Sequence, residues 1–280
     1  MDAYDRILGE SGPLDDRSSE SRSNGNTQSE HYIQFDNVSK AFGDHLVLDD
    51  VSFHVDRGQT AVIMGRSGVG KSVTLKHIMG FLEPDAGRVI VAGNDITGWT
   101  EDQLAPIRKR VTMVFQSGAL FDSLTIAENI AFPLADTQMP AEEIDARVRE
   151  LADMLEIAED LDKVPSELST GAKRAVAIAR ALAQDPEAIL YDEPTTMVDP
   201  LMAAHMGDLI KKLKQALHKT SIVVTHDTHL ARKLADTVIF LQDGRVAFFG
   251  PWNEFEKSSD PFLKNFLAQD ALIPALDVTL

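Results

Sequence analysis

The chain of 280 residues contains no cysteine, so it forms neither disulfides nor cysteine-based metal sites. It also lacks any apolar run that approaches the ~18 residues needed to span a bilayer. Residues 1–30 contain no apolar block of the kind found in secretory signals. These absences predict a soluble protein without a leader segment.

Basic residues are scarce as well, with 27 Lys and Arg against 44 Asp and Glu and a formal net charge of -17. Phosphate backbones and anionic lipid surfaces both recruit basic patches. We therefore expect no nucleic-acid partner and no non-specific adhesion to anionic lipid. The hydrophobic fraction of 44% is, by contrast, enough for one sizeable core with a smaller subdomain attached.

Composition divides the chain into three parts. Residues 1–30 are polar and of low complexity, which predicts a disordered tail because too few apolar groups offset the entropy lost on ordering. The folded domain is expected at 31–250, with a helical subdomain at about 117–168 where the apolar residues follow helical spacing. Residues 251–280 are expected to form a C-terminal helical tail.

The folded part alternates between strands and helices. The run TAVIM at Thr60–Met64 is unbroken and apolar, as in a strand that is buried on both faces. Further short apolar runs at 188–191, 221–225 and 237–242 are separated by helical segments. This rhythm predicts an α/β fold with a mostly parallel sheet, and Asp243-Gly244 predicts a hairpin after the last of these runs.

The glycine-rich segment GRSGVGKS lies between the buried run and a helical stretch. It satisfies the pattern G-x-x-x-x-G-K-[ST], in which glycines let backbone N–H groups wrap a polyphosphate beside a helix N-terminus. We expect Lys71 to contact the β- and γ-phosphates and Ser72 to ligate Mg²⁺. The predicted nucleotide-contacting residues of this segment are Gly65, Arg66, Ser67, Gly68, Val69, Gly70, Lys71, Ser72 and Val73.

Two adjacent carboxylates, Asp192 and Glu193, end the apolar run at 188–191. At the carboxyl edge of a parallel sheet they would face the phosphate-binding segment. Asp192 is then expected to hold Mg²⁺, directly or through water, and Glu193 to orient or deprotonate the attacking water. The alternative is an ordinary strand end that happens to carry two acids.

A second helix start lies in LSTGAKRAVAIARAL, at 168–182. Ser169 is placed as an N-cap, and Gly171 allows another group to approach the backbone closely. A helix N-terminus of this kind is a second anion site. One natural interpretation is that it serves a nucleotide held by another subunit, although these residues by themselves leave that open.

In these motifs the chain resembles the ABC ATPases from about residue 32 to 250. GRSGVGKS resembles their Walker A loop, YDEP their Walker B strand with its catalytic glutamate, and LSTGA stands where they carry LSGGQ. The resemblance implies a P-loop NTPase fold with a RecA-like, mostly parallel core sheet, an antiparallel β subdomain and a helical subdomain. It also implies ATP hydrolysis with Mg²⁺.

The resemblance also assigns roles to individual residues. Gln116 in VFQSGALF matches the Q-loop glutamine, which links metal and water to the membrane partner, and His226 in VVTHD matches the switch histidine. Asp199 matches the D-loop aspartate, and Phe42 the aromatic residue that stacks on adenine. The implied catalytic residues are Glu193, His226, Gln116 and Lys71. The implied Mg²⁺ ligands are Ser72, Gln116 and Asp192.

The signature segment departs from the family at two positions. Thr170 replaces the first glycine and Ala172 the glutamine, whereas Ser169 and Gly171, the family's phosphate-contacting pair, are present. Because threonine adds bulk and a hydroxyl group at the start of the helix, we expect a competent but slower ATPase.

A closer resemblance is to the Mce-associated, Mla-type ATPases of lipid transport in the Gram-negative envelope. It is carried by SGALFDSLT, within 115–134, and by SSDPFLKNFL at 258–267. It implies a homodimer on the cytoplasmic face of the inner membrane, bound to a multi-pass permease that works with an Mce-domain protein. The cargo would be phospholipid or another apolar molecule.

Three other functions remain to be weighed. A non-transport mechanical ATPase of the same fold would also use a membrane partner. A DNA-repair ATPase of this type would carry a long coiled coil or zinc module between Lys71 and Ser169, which are too close here. A module that binds ATP without turnover would not need both Glu193 and His226.

The remaining histidines are predicted to be surface or packing residues. In the sequence, His226 and His229 alone pair at a metal-ligand spacing, and the switch role of His226 accounts for that pair.

Overall fold

The structure, a computed structural model, describes residues 31–116 and 118–271. The predicted polar tail at 1–30 and the end of the predicted C-terminal tail, 272–280, lie outside the described residues. Within the described residues, no helix combines the length and the apolarity that crossing a membrane requires.

Ten strands and nine helices are formed by the described residues. The strands are β1 (His31–Phe42), β2 (His45–Asp56), β3 (Thr60–Met64), β4 (Ala86–Val91), β5 (Asn94–Asp95), β6 (Val111–Val114), β7 (Ala188–Asp192), β8 (Thr220–Val224), β9 (Thr237–Gln242) and β10 (Arg245–Gly250). The helices are α1 (Lys71–Ile78), α2 (Glu101–Arg110), α3 (Ile126–Ala131), α4 (Ala141–Met154), α5 (Thr170–Leu182), α6 (Pro200–Leu217), α7 (Thr228–Leu234), α8 (Trp252–Glu256) and α9 (Pro261–Ala271).

The strands form two sheets. Four of them make an antiparallel sheet in the order β2-β1-β4-β5, and six make the central sheet in the order β10-β9-β3-β8-β7-β6. In the central sheet β9, β3, β8, β7 and β6 pair in parallel, and β10 is antiparallel to β9. The predicted α/β class with a mostly parallel core sheet and a separate antiparallel sheet is confirmed.

The central sheet is buried on both faces, as the unbroken apolar runs predict. Along β3, Val62 and Met64 face a core built with the long helices α5 and α6, whereas Ala61 and Ile63 face the antiparallel sheet and α1. Burying one such large side chain contributes about 1.5–3 kcal/mol. Two apolar layers therefore hold the carboxyl ends of the parallel strands rigidly in place.

The helical segment between β6 and β7 contains α3, α4 and short 3-10 turns before α5. The loop that precedes α3 is held by Asn129, which is fully buried. The Asn129 amide donates to the carbonyl oxygens of Phe121, Leu124 and Thr125, and its oxygen accepts from the N–H of Phe121. One buried side chain thus provides hydrogen-bond partners for backbone groups of this loop that would otherwise be unpaired.

The C-terminal helices pack on β9 through aromatic side chains. The buried ring of Phe240 lies 5.6 Å from that of Phe255 in α8, and 6.0 and 4.9 Å from those of Phe262 and Phe266 in α9. These edge and tilted contacts are favourable beyond the area they bury. The tail therefore docks on the central sheet next to the strand that leads to the glycine-rich segment.

Candidate nucleotide-binding site

The predicted site residues follow the carboxyl ends of neighbouring parallel strands. The glycine-rich segment follows β3, His226 follows β8, the carboxylates end β7, and Gln116 follows β6. The sheet order β3-β8-β7-β6 places them side by side along one edge. The hydrogen-bond ladder between β7 and β8 continues into the site, because the Glu193 N–H donates to the carbonyl oxygen of Val224 (2.9 Å). Ligands of open α/β sheets bind at this edge.

The phosphate-binding loop, Gly65–Gly70, requires glycine at both ends. Gly65 has φ +146 and Gly70 has φ +109. A Cβ would lie 2.4 Å from the carbonyl oxygen of Leu241 at the first position, and 2.6 Å from Leu48 Cδ2 at the second. Because only glycine fits, the loop can wrap an anion with its backbone N–H groups.

The ammonium group of Lys71 points back into this loop. Its side chain is 7% exposed, and Nζ donates to the carbonyl oxygens of Gly65 (2.9 Å) and Arg66 (3.2 Å). It also lies 3.5 Å from Oε1 of Glu193. The buried ammonium group of Lys71, at the edge of the phosphate-binding loop, can exchange these carbonyl partners for phosphate oxygens.

Ser72 and Asp192 come together as the predicted metal ligands. The Ser72 hydroxyl donates to Oδ1 of Asp192 at 2.9 Å. Burial raises the pKa of the Asp192 carboxyl, although the Ser72 hydrogen bond opposes that shift. A hydroxyl and a carboxylate suit the oxygen preference of Mg²⁺, and a bound cation would favour the ionised carboxylate. Gln116, exposed after β6, lies at the same sheet edge.

Glu193 occupies the centre of the site on a strained backbone, with φ +50. Its Oε2 accepts hydrogen bonds from Thr196 Oγ1 (2.9 Å) and His226 Nδ1 (3.0 Å). Burial raises the pKa of this carboxyl, but His226, Thr196 and Lys71 together outweigh burial, and the net pKa is lowered. The Glu193 carboxylate is therefore ionised and oriented, which suits a base or a water-positioning group.

In the signature segment Ser169 and Thr170 face outward, whereas Gly171 is buried against Met202. Ser169 caps α5, its hydroxyl accepting from the Ala172 N–H (3.2 Å), and Thr170 is exposed at the first helical position. Asp199 caps α6 by accepting from the Met202 N–H (3.0 Å). The exposed helix start at Ser169 is therefore available to a group from another chain.

Two large apolar side chains flank Asp199. Met197 is 84% exposed and Leu201 is 79% exposed. Exposed apolar groups next to polar site residues are typical of an interaction surface.

Phe42 lies at the end of β1, next to the β1–β2 turn, and its ring is 47% exposed. Lys40 Nζ is 5.8 Å from the ring centroid. The same hairpin contacts the phosphate-binding loop, since Val47 Cγ1 would lie 3.3 Å from a Cβ at Gly70. The exposed ring is thus on the element that borders the loop.

Sequence reasoning missed one residue of the site, Arg174 in α5. Its side chain is 7% exposed, and its guanidinium donates to the carbonyl oxygens of Pro194 and Thr196, with a longer bond of 3.5 Å to that of Glu193. Burial lowers the pKa of Arg174. The planar guanidinium group of Arg174 therefore stabilises the backbone conformation at and after Glu193. Arginine in an alanine-rich helix gives no sequence signal of such a role.

We predict that Arg174→Met lowers the free energy of unfolding by about 2–3 kcal/mol, because it leaves buried carbonyl oxygens without donors. It should also slow nucleotide turnover, since the backbone at Glu193 loses its clamp. Urea unfolding and a turnover assay measure both effects. Arg149→Met, at an exposed position of α4, is the matched control and should change neither. Unchanged stability in Arg174→Met would contradict the clamp.

Two of the remaining histidines lie close to each other and to an aspartate. Ligand atoms of His31, His54 and Asp56 lie within 4.8 Å of one another, and the two imidazole rings are 3.9 Å apart. The register of β1 against β2, which pairs His31 with Asp56, brings them together. Sequence spacing, which singles out His226 and His229, gives no sign of this group.

Fold and site together define a phosphate-binding α/β protein of the P-loop class. The sequence matches the family model described as ABC transporter over residues 48–196. Among solved structures, the dimeric ATP-binding cassette MJ0796 bound to ADP and Pi is 34% identical, with a TM-score of 0.71 over 78% of this chain and 98% of that chain.

Curated relatives point to the same family. The methionine import ATP-binding protein MetN of Brucella abortus is 37% identical over 84% of this chain. The probable ribonucleotide transport ATP-binding protein mkl of Mycobacterium leprae is 34% identical over 84% of this chain. The chain spans 64% of the length of the first and 68% of the second. The chain belongs to the ABC transporter family.

Proposed function

We propose that this chain is the ATP-hydrolysing subunit of an ABC transporter. The observation that carries the proposal is the arrangement around Glu193. An ionised carboxylate lies 3.5 Å from the ammonium group of Lys71 and accepts a hydrogen bond from His226, next to the Ser72–Asp192 pair. These are the groups that phosphoryl transfer to water requires.

Each residue has a distinct task in this proposal. The loop and Lys71 hold the β- and γ-phosphates, and Phe42 offers its exposed ring to the adenine. Glu193 orients the attacking water and takes its proton, while His226 contacts the γ-phosphate. Mg²⁺ held by Ser72, Asp192 and Gln116 would neutralise charge on the phosphates. Catalysis then rests on positioning and on preorganised charge.

We further propose that two copies close head to tail over two nucleotides. The exposed cap at Ser169, with Gly171, would complete the site of the other copy. Met197 and Leu201, both exposed here, would be covered in such a pair. The dimeric state of MJ0796, to which this chain is similar, supports the arrangement.

A membrane permease is the proposed second partner, on the cytoplasmic face of the inner membrane. Three exposed phenyl rings lie near Gln116 in the sequence or in the helical segment that follows it: Phe115 is 40% exposed, Phe121 41% and Phe132 51%. The rings of Phe121 and Phe132 are 4.4 Å apart. The pair formed by Phe121 and Phe132 is an exposed apolar patch suited to a partner helix.

For the transported molecule we propose phospholipid or another apolar cargo, moved with an Mce-domain protein. SGALFDSLT and the DPF-containing C-terminal segment, which resemble the Mla-type ATPases, support this choice. A second candidate is the import of a small polar solute, which is favoured by the relatives named as methionine and ribonucleotide transport proteins.

Gentle detergent extraction of the chain, followed by identification of the bound membrane proteins, tests the proposal. We expect a multi-pass permease and an Mce-domain protein. A permease with a solute-binding protein instead would favour the second candidate, and no membrane partner would contradict transport altogether. Phe121→Ser should release the permease, whereas Phe249→Ser, at an exposed ring on β10, should retain it.

A further inference from the structure

The C-terminal helix α9 reaches the phosphate-binding loop of its own chain. The guanidinium carbon of Arg66, the second residue of that loop, lies 5.0 Å from the ring centroid of Phe262. This is a cation–π distance, and Arg66 is otherwise exposed. A side chain nearly 200 positions away in sequence therefore contacts a residue of the phosphate-binding loop.

The position of Phe262 is itself well determined. Its backbone N–H donates to Oδ1 of Asp260 (2.7 Å), which also accepts from the N–H of Leu263 (3.2 Å). Leu263 is buried. The Phe262 ring meets Phe240 at 6.0 Å and 69°. The ring is thus anchored from the start of α9 and from the central sheet.

Phe240 links this contact to the base of the loop. It pairs with Met64, the last residue of β3 before the loop begins. At the other end of the link, the Arg66 carbonyl oxygen accepts from Lys71 Nζ at 3.2 Å. Arg66 therefore has two contacts: its side chain lies against Phe262 of α9, and its carbonyl oxygen accepts a hydrogen bond from Lys71.

We propose that Phe262 is a positioning residue for the nucleotide site. By holding Arg66, it keeps the loop in the conformation that binds a polyphosphate, so docking of α9 raises the affinity for ATP. The inference rests on the proposed ATP binding and assigns a function to the C-terminal helix. A preorganised loop loses less conformational freedom on binding, and this lowers the dissociation constant rather than the rate of the chemical step.

Equilibrium binding of ATP–Mg²⁺ to the full chain, together with steady-state turnover, tests the proposal. Phe262→Leu keeps an apolar side chain but removes the aromatic face, and we expect about a three- to tenfold increase in the dissociation constant for ATP. The turnover number at saturating ATP should stay unchanged. Phe262→Trp, which retains an aromatic face, should restore wild-type affinity.

Two further variants isolate the contact. Phe266→Leu, on the same helix and against the same Phe240, is the matched control and should leave the affinity unchanged. Arg66→Gln should weaken binding as Phe262→Leu does, and the double variant should be no weaker than either single variant.

Several results would overturn the inference. Wild-type affinity in Phe262→Leu would remove the positioning role, and tighter binding would mean that the contact restrains the loop instead. An equal loss in Phe266→Leu would show that packing of α9 on Phe240, and not the contact between Phe262 and Arg66, sets the affinity for ATP. A wild-type chain that binds no ATP would overturn the proposed function itself, and this outcome is distinguishable because it appears before any substitution is made.

Discussion

Glu193→Gln is expected to abolish ATP hydrolysis while ATP binding persists. Glutamine keeps the shape of the side chain and can still accept a hydrogen bond from Thr196, but it cannot take a proton from water. Removal of a general base typically costs about 10²- to 10⁴-fold in rate. Because the lowered pKa of Glu193 keeps it ionised in the wild type, the loss should be present across the neutral range.

The same variant should trap a dimer in the presence of ATP and Mg²⁺. If hydrolysis resets the closed pair, a chain that binds but does not hydrolyse stays closed. Size-exclusion chromatography with and without ATP measures this. Glu187→Gln is a matched control just before the same strand, β7, where the carboxylate pairs with Arg57 and Arg110 away from the site. Normal turnover in Glu193→Gln would show that the base has been assigned wrongly.

Gly171→Ala is the second large effect we expect, a loss of about ten- to a hundredfold in turnover. A Cβ at this position would lie 2.1 Å from Sδ of Met202 and 2.9 Å from its Cγ. Overpacking of this kind costs about 1–3 kcal/mol. The flexible side chain of Met202 would have to shift, and the part of the strain that it does not absorb would move the start of α5, with the exposed cap at Ser169, away from α6.

A compensating substitution tests the cause. Because the added Cβ would point at Met202 of the same chain, Gly171→Ala combined with Met202→Ala should recover most of the turnover. Met202→Ala alone is the control and should remain active. If the double variant stays as slow as Gly171→Ala, the glycine is needed for close approach by the other copy's nucleotide rather than for packing within the chain.

Local chemistry explains why much of the site could be predicted. The phosphate-binding loop is contiguous in sequence, and its glycines, lysine and serine have fixed offsets, so the pattern already contains the geometry. The hairpin at Asp243-Gly244 is similar, because both residues adopt positive φ, which that dipeptide tolerates. The N-cap role of Ser169 follows from one side chain and the next turn of helix.

Other features depend on contacts between distant segments. The roles of Arg174 and Phe262 have no local pattern, since each is defined by backbone or side chains that the fold brings to it. The same holds for His31 and His54, which approach one another through strand register. Burial and hydrogen bonding also set the pKa directions of Asp192 and Glu193, two neighbours whose values shift in opposite directions.

The sequence by itself determined the class of fold, the phosphate-binding loop and the adjacent carboxylates Asp192 and Glu193, because hydrophobic periodicity and short motifs are local properties. The resemblance to the ABC ATPases added Gln116 and His226. Only the tertiary structure decided the order β3-β8-β7-β6 along which those residues meet. It also decided which groups hold Glu193 and which helix reaches Arg66. The physical reason is that packing of two apolar layers on the central sheet selects among many possible neighbours, and a linear pattern does not specify that selection.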